Sequence, residues 1–329
     1  MSEALLSQIY ADPTDQAARM VYEDWLEERG DPRARAIALM TSQSQGKHLG
    51  REEQAELDDI IEQHWRAWVG PAVALIPPKS RTRFVDGFLS EVELRIDSDA
   101  DRQLAADPVF ATLRWLTCEH ADIVVRPTMK LLRTLSGSLR TFAEVAELPY
   151  ELDVRTVFVD AKDFTRDLEA RVIAARAPVF RNLRSVFATV RKSDAFDWIA
   201  RSWIPARVES INLQRAPIPI RTFMDLFRAN RRLKFILASL PGSAGISFTR
   251  WSQPALPALE VRLDNEWDET FAALDDIDGT GWGLSIKYPS ASASGDETEG
   301  RRTAMQERYR SFARVDIIEP FESPYEGGL

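Results

Sequence analysis

The sequence predicts an α/β chain in two parts: a helical N-terminal module, then a stack of strand-and-return units that share one parallel sheet. Two observations carry this expectation. The first 70 residues place apolar side chains at helical spacing between clear start and stop signals. From residue 88 onward, segments of the form apolar-x-x-apolar-x-apolar recur about every 25 residues. The composition, 44% hydrophobic and 28% charged over 329 residues, supplies enough apolar material for a continuous core.

In the front end, Leu5, Leu6 and Ile9 lie one helical turn apart, and Asp12-Pro13 ends that segment. Asp15 is placed to cap a second helix whose expected inward face is Val21, Tyr22, Trp25 and Leu26. Arg29-Gly30 is a helix stop. Asp31-Pro32 restarts at once, with an acceptor at the cap and proline where a missing N–H costs little. Ala34, Ile37, Ala38 and Leu39 or Met40 continue an apolar face, and Gly46 and Gly50 bracket a loop. Residues 51–68 read as a fourth helix with Leu57, Ile60 or Ile61, Trp65 and Trp68 inward. Its acidic residues Glu52, Glu53 and Glu56 lie near the positive end of the helix dipole.

The stretch Leu5-Leu6, Ile9-Tyr10, Asp12-Pro13, Asp15, Arg19, Val21-Tyr22 and Asp24-Trp25-Leu26-Glu27-Glu28-Arg29-Gly30-Asp31-Pro32-Arg33 resembles the bacterial repeat-companion domain. That family occurs mainly in myxobacteria and planctomycetes, typically fused to repeat arrays. The resemblance implies a repeat protein downstream and no known catalytic activity. Where the family often carries a small residue followed by an acid, this chain has Ala34-Arg35-Ala36. The polar set Asp24, Arg29, Asp31 and Arg33 is read as capping and salt-bridging residues that lock two helices at the Gly30 turn, with a ligand patch as the alternative.

The strand-like segments fall at residues 88–94, 113–118, 154–159, 183–188, 208–213, 233–238, 256–261, 281–286 and 312–317. Aligned on their fourth position, the anchors Val186, Ile211, Ile236, Leu259 and Leu284 are spaced by 25, 25, 23 and 25 residues. A spacing of 31 leads to Val315, and the low-complexity insertion at residues 290–300 takes up the excess. The pattern Pro-Val-Phe-x-x-Leu-Arg occurs twice, at residues 108–114 and 178–184. Helical pieces lie between strands, at residues 163–175 with Phe164, Leu168 and Val172, and at 220–230 with Phe223, Met224 and Phe227. These units resemble the strand half of a leucine-rich repeat, although the usual asparagine is mostly absent. Residues 139–145 are a further candidate strand, only 15 residues before Val157.

The expected fold is therefore a helical module over residues 1–70, a junction over 71–87, an irregular leucine-rich-repeat solenoid over 88–320 with a parallel concave sheet of eight or nine strands, and a tail over 321–329. An ordinary α/β domain with a parallel sheet is the alternative.

Chemistry is sparse. No glycine-rich phosphate loop is present. His48, His64 and His120 are widely separated and lack metal-ligand spacing. The single cysteine excludes an internal disulfide, and Cys118-Glu119-His120 is the one nucleophile-like cluster. Cys118 fills an inward-facing sixth position, which reads as a structural thiol. Asp58-Asp59 and Asp275-Asp276 read as solvated or capping acids. No catalytic, cofactor or metal site is expected.

The net charge of −9 disfavours nucleic acid and anionic membranes, and no apolar run approaches the roughly 18 residues of a membrane helix. With no signal pattern after Met1-Ser2-Glu3, a cytoplasmic location is expected. Of the 42 basic residues, only seven are lysine.

A strand alternates its side chains, so the residues flanking each anchor face out of the core. Trp115, Phe158, Phe187, Asn212, Phe235, Leu237, Glu260 and Arg262 are the expected protein-binding residues, with Phe158, Phe187, Asn212 and Leu237 forming an apolar middle row. The expected function is a non-enzymatic scaffold or adaptor that binds another protein, in a bacterial signalling, defence or proteolytic system of the kind the resemblance suggests. A self-assembling structural unit and a Cys118-dependent enzyme are the alternatives.

Overall fold

A computed structural model describes residues 2–190, 196–214, 220–239, 245–250, 257–262, 274–275, 282–287, 303–312 and 314–318. The insertion at 290–300 and the tail at 321–329 lie outside the described residues. The chain forms two compact units, Met1–Arg155 with Arg176–Asn182, and Thr156–Ala175 with Leu183–Leu329. Helices come first and a mostly parallel set of strands follows, as the sequence predicts in outline.

The first unit opens with four helices, α1 (Ser2–Ala11), α2 (Gln16–Glu27), α3 (Pro32–Ser44) and α4 (Arg51–Val69). Their ends follow the sequence signals. Asp15 accepts the Ala18 N–H at 3.1 Å, and Asp31 accepts the Arg33 N–H at 2.9 Å with Pro32 in the first turn. Glu53 reaches back to the Gly50 N–H at 2.9 Å. The inward face of α2 is Ala18, Tyr22 and Leu26, a strict four-residue repeat. Val21 departs from expectation: it is 53% exposed, because it sits one residue, about 100°, off that line. Likewise Ala36, not Ala38, joins Ile37 in the buried face of α3.

A short 3-10 turn (Gly70–Leu75) leads to β1 (Arg83–Val85) and β2 (Phe88–Glu93), an antiparallel hairpin. Its turn is Asp86-Gly87, both at positive φ (51° and 78°), which is the two-residue hairpin turn that matches strand twist. The junction expected at 71–87 is thus partly a strand, and Asp-Gly was the signal for it.

Next come α5 (Asp99–Leu104), β3 (Trp115–Thr117), α6 (Ala121–Val124), β4 (Thr134–Ser138) and α7 (Leu139–Glu147). Strands β2, β3 and β4 are parallel, with Val92, Leu116 and Leu135 in register and buried. The candidate strand at 139–145 is instead α7. Ser138 caps it by accepting the Thr141 N–H at 3.3 Å, and Leu139, Phe142, Ala143, Val145 and Ala146 bury a helical face. Both Pro-Val-Phe segments form short 3-10 turns with their Val and Phe buried.

Arg33 ties the helical module to the hairpin. Its side chain is in a residue only 4% exposed, and it donates to the Gly87 carbonyl from Nε (3.1 Å) and Nη2 (3.0 Å) and to the Tyr22 hydroxyl from Nη1 (3.2 Å). The rings of Phe88, Trp68 and Tyr22 surround the guanidinium at 5.1–5.5 Å. Among the described residues no carboxylate lies within 4 Å of it. The capping half of the expected set is met, whereas among the described residues no ion pair within the set locks the two helices, and Arg29 pairs with its neighbour Glu28 at 3.6 Å. Asp31 is a cap, Asp24 is exposed, and Arg29 lies over the Trp25 ring at 4.1 Å.

In the second unit the elements are β5 (Thr156–Asp160), α8 (Arg166–Ala174), β6 (Ser185–Thr189), α9 (Asp197–Ala200), α10 (Ile204–Arg207), β7 (Ser210–Gln214), α11 (Ile220–Ala229), β8 (Phe235–Ser239), β9 (Gly245–Thr249), β10 (Ala258–Arg262), β11 (Gly283–Lys287) and β12 (Arg314–Ile318). Neighbouring strands follow sequence order. Every expected anchor falls in one ladder: Val157, Val186, Ile211, Ile236, Leu259, Leu284 and Val315 share a register. Those from Val157 to Leu284 are 0–1% exposed. Behind the ladder, Phe196, Phe223, Phe227, Phe248 and Trp282 pack with ring centroids 5.4–6.4 Å apart.

The ladder also contains a strand the periodicity hid. β9 lies between β8 and β10 and is antiparallel to both, with Phe248 opposite Ile236 and Leu259. The 23-residue spacing therefore spans two strands. With β1, β4 and β9 added, the described residues hold twelve strands where eight or nine were expected.

Candidate functional site

The outward face of the second unit is built by the alternation that buries the anchors. Its central row runs Phe158, Phe187, Asn212, Leu237, Ser247, Glu260 and Ser285, each in register with the next. Phe158 and Phe187 stack with ring centroids 4.4 Å apart and 14° between planes. Both rings face out of the core as expected, and because each covers the other both are half-buried. Asn212 and Leu237 are also half-buried, and beyond Leu237 the row turns polar.

A second row, two residues nearer the starts of β6, β7 and β8 and the end of the antiparallel β9, holds Ser185, Ser210, Phe235 and Thr249. The Ser210 hydroxyl donates to the Ser185 hydroxyl at 2.8 Å, so the row's polar end is satisfied internally. Phe235 therefore flanks the apolar row and is not part of it. Of the expected set, Phe158, Phe187, Asn212, Leu237 and Glu260 share one row. Arg262 ends β10 opposite Gly245 and Lys287. Trp115 belongs to the first unit, where it sits in register between Glu91 and Thr134.

Trp115 lines a cleft of about 430 Å³ within the first unit, which sequence reasoning missed. The C-terminal part of α3 (Met40, Gln43, Ser44) forms one wall and the strand face of β1 to β4 the other. Three arginines enter it: Arg83, Arg114 and Arg133. Arg83 donates to Glu91 at 2.9 Å. Arg133 pairs with Asp153 at 3.2 Å, and the same carboxylate also takes Arg155 at 2.8 Å. The Arg155 hydrogen bond, aided by the charge of Arg133, holds the Asp153 carboxyl below the usual carboxylate range. The sequence signal was present as an apolar-Arg pair directly before successive strands, in Leu113-Arg114, Leu132-Arg133 and Val154-Arg155.

The Cys118 cluster takes a different shape from a nucleophile–base pair. The buried Cys118 thiol donates to the backbone carbonyl of His120 at 3.8 Å, not to its ring. The ring is held by the Ile96 carbonyl at 3.0 Å and by Arg102 at 3.2 Å. Burial pushes the Cys118 thiol up to about 11. Because the folded value lies above the ordinary one of 9.0, the stability tied to the protonated thiol is intact below pH 9 and is lost as pH rises through about 11. Glu119 accepts the Ser138 N–H at 3.0 Å and the Thr141 hydroxyl at 2.9 Å, bracing the start of α7. Among the described residues no cluster of three or more His, Cys, Asp or Glu side chains is placed to hold a metal, and no helix is long and apolar enough to cross a membrane. In comparisons with known proteins, no family model, no curated protein and no solved structure matches the chain.

Proposed function

We propose that this chain is a non-enzymatic protein-binding scaffold, an irregular leucine-rich-repeat-type array that docks a protein partner on the outward face of its second unit. The observation that carries the reading is the central row, in which the Phe158–Phe187 stack and Leu237 stand in register around Asn212. An aromatic stack flanked by hydroxyl and carboxylate residues has the make-up of an interface centre with a polar rim. A stacked pair loses little side-chain entropy when a partner covers it, because each ring already restrains the other. The resemblance of the N-terminal 40 residues to a module usually fused to repeat arrays supports the same class of role. The antiparallel β9 makes the array irregular, and it marks where the apolar row gives way to Ser247 and Glu260.

The test is affinity capture from extracts of the source cells with the wild type and a Phe187→Asp, Leu237→Asp double variant. Loss of specific partners from the double variant is the expected result, since two charges in a desolvated interface centre cost several kcal/mol of binding. An unchanged partner set, with circular dichroism showing the variant folded, refutes the assignment of this face.

A further inference from the structure

We propose that the cleft of the first unit binds a small phosphate monoester carrying a flat ring, of the nucleoside monophosphate class. The claim goes beyond the scaffold reading and rests on different residues. Its basis is a charge imbalance built into the sheet. Arg114 and Arg133 stand directly before β3 and β4, and the Arg133 N–H donates to the Arg114 carbonyl at 2.9 Å. Arg155 continues the series, its N–H donating to the Arg133 carbonyl at 2.7 Å. Like charges on adjacent strands, spaced about 4.8 Å, repel one another. One carboxylate, Asp153, serves both Arg133 and Arg155. Arg114 is exposed, and among the described residues no carboxylate pairs with it. Its charge reaches Arg19, whose proton affinity is lowered first by burial and further by Arg114, against the opposing pull of Asp86.

The charged side chains lining the cleft are Arg83, Arg114, Arg133 and Glu91, three cations against one anion. With Glu91 engaged by Arg83 and the one Asp153 carboxylate shared by Arg133 and Arg155, Arg114 and the Arg133–Arg155 pair leave two positive charges unbalanced, which a dianionic group offsets. A phosphate monoester is a dianion of that kind, and its oxygens match the fork geometry of arginine. The rest of the lining mixes polar and apolar side chains, as a nucleoside does. Trp115, Phe84, Val85 and Met40 supply the apolar part of the lining. Gln43, Ser44 and Thr134 are among its polar lining residues. The volume of about 430 Å³ falls within the usual range for small-molecule sites, about 300–1,000 Å³.

Isothermal titration of the full chain with adenosine 5′-monophosphate tests this, with adenosine and inorganic phosphate as separate arms. The expected result is saturable binding of the monophosphate, with both arms at least about tenfold weaker. Arg114→Gln should weaken the monophosphate at least about tenfold, the usual cost of a lost charge-assisted contact. Arg51→Gln, which changes an exposed arginine at the start of α4 and outside the cleft, should leave binding unchanged. Circular dichroism of each variant checks that the fold is retained. The proposal is overturned if the monophosphate gives no binding at millimolar concentration, if folded Arg114→Gln binds as the wild type does, or if phosphate alone binds as tightly as the monophosphate.

Discussion

Gly87→Ala is expected to destabilise the first unit by about 3 kcal/mol or more, among the largest effects of any single methyl group added to this chain. Two causes act together. Gly87 sits at φ 78°, where a Cβ is strained against its own backbone. The added Cβ would also fall 2.2 Å from Cγ1 and 2.9 Å from Cδ1 of Ile37, a buried residue of α3. Neither partner can move freely. The Gly87 carbonyl holds Arg33, and its N–H points at the Met40 sulfur at 3.2 Å. Urea denaturation of the single and double variants separates the causes. In an Ile37→Ala background, which removes the clashing atoms, Gly87→Ala should cost only the backbone part, about 1–2 kcal/mol. Equal costs in both backgrounds would show that the hairpin turn does not press on α3.

Arg33→Met is expected to cost about 3 kcal/mol although it removes a buried charge. Methionine fills most of the volume, so the loss comes from polar groups. The Gly87 carbonyl loses two donors inside the core, and an orphaned buried acceptor costs about 1–3 kcal/mol. The cation–π contact with Phe88, Trp68 and Tyr22 disappears too, about 2 kcal/mol in a desolvated site. Relief from burying the guanidinium offsets part of this sum. Arg33→Lys should recover less than half of the loss, because an ammonium cannot give a fork to Gly87 and a third bond to Tyr22 in the same geometry. Denaturation midpoints measure both variants, and a Met variant as stable as the wild type would remove Arg33 as the tie between helices and hairpin.

The residues at issue show why part of this fold is legible in the sequence and part is not. Asp15, Asp31 and Pro32 act within one helical turn, so their roles follow from local spacing. The anchors from Val186 to Leu284 are legible because burial on one strand face repeats, and all of them occupy the ladder. What escaped is long-range or short. Arg33 has the pattern of a capping-region residue, yet its partner is a carbonyl 54 positions away. β4 carries one buried anchor, Leu135, in a polar Thr-Leu-Ser-Gly-Ser stretch, too little for a periodic signal. β9 is five residues long and runs against the direction that the spacing of its neighbours implies. In the candidate face, the row was legible from alternation, but the mutual stacking that leaves Phe158 and Phe187 half-buried depends on the sheet register. The arginine cleft needs α3 set against four strands, a juxtaposition no linear pattern contains.

The inward and outward assignment of adjacent residues on β7 bears most directly on the docking face, and thiol labelling reads it. The native Cys118 is buried and protonated, so it contributes little background at pH 8. Asn212→Cys in the folded protein should react with a maleimide within about tenfold of the rate of a free thiol, since that position faces out. Ile211→Cys, in a position with no exposure, should react at least about 100-fold more slowly, limited by local opening. Fast labelling at residue 211 with protection at residue 212 would contradict the register on which the face depends.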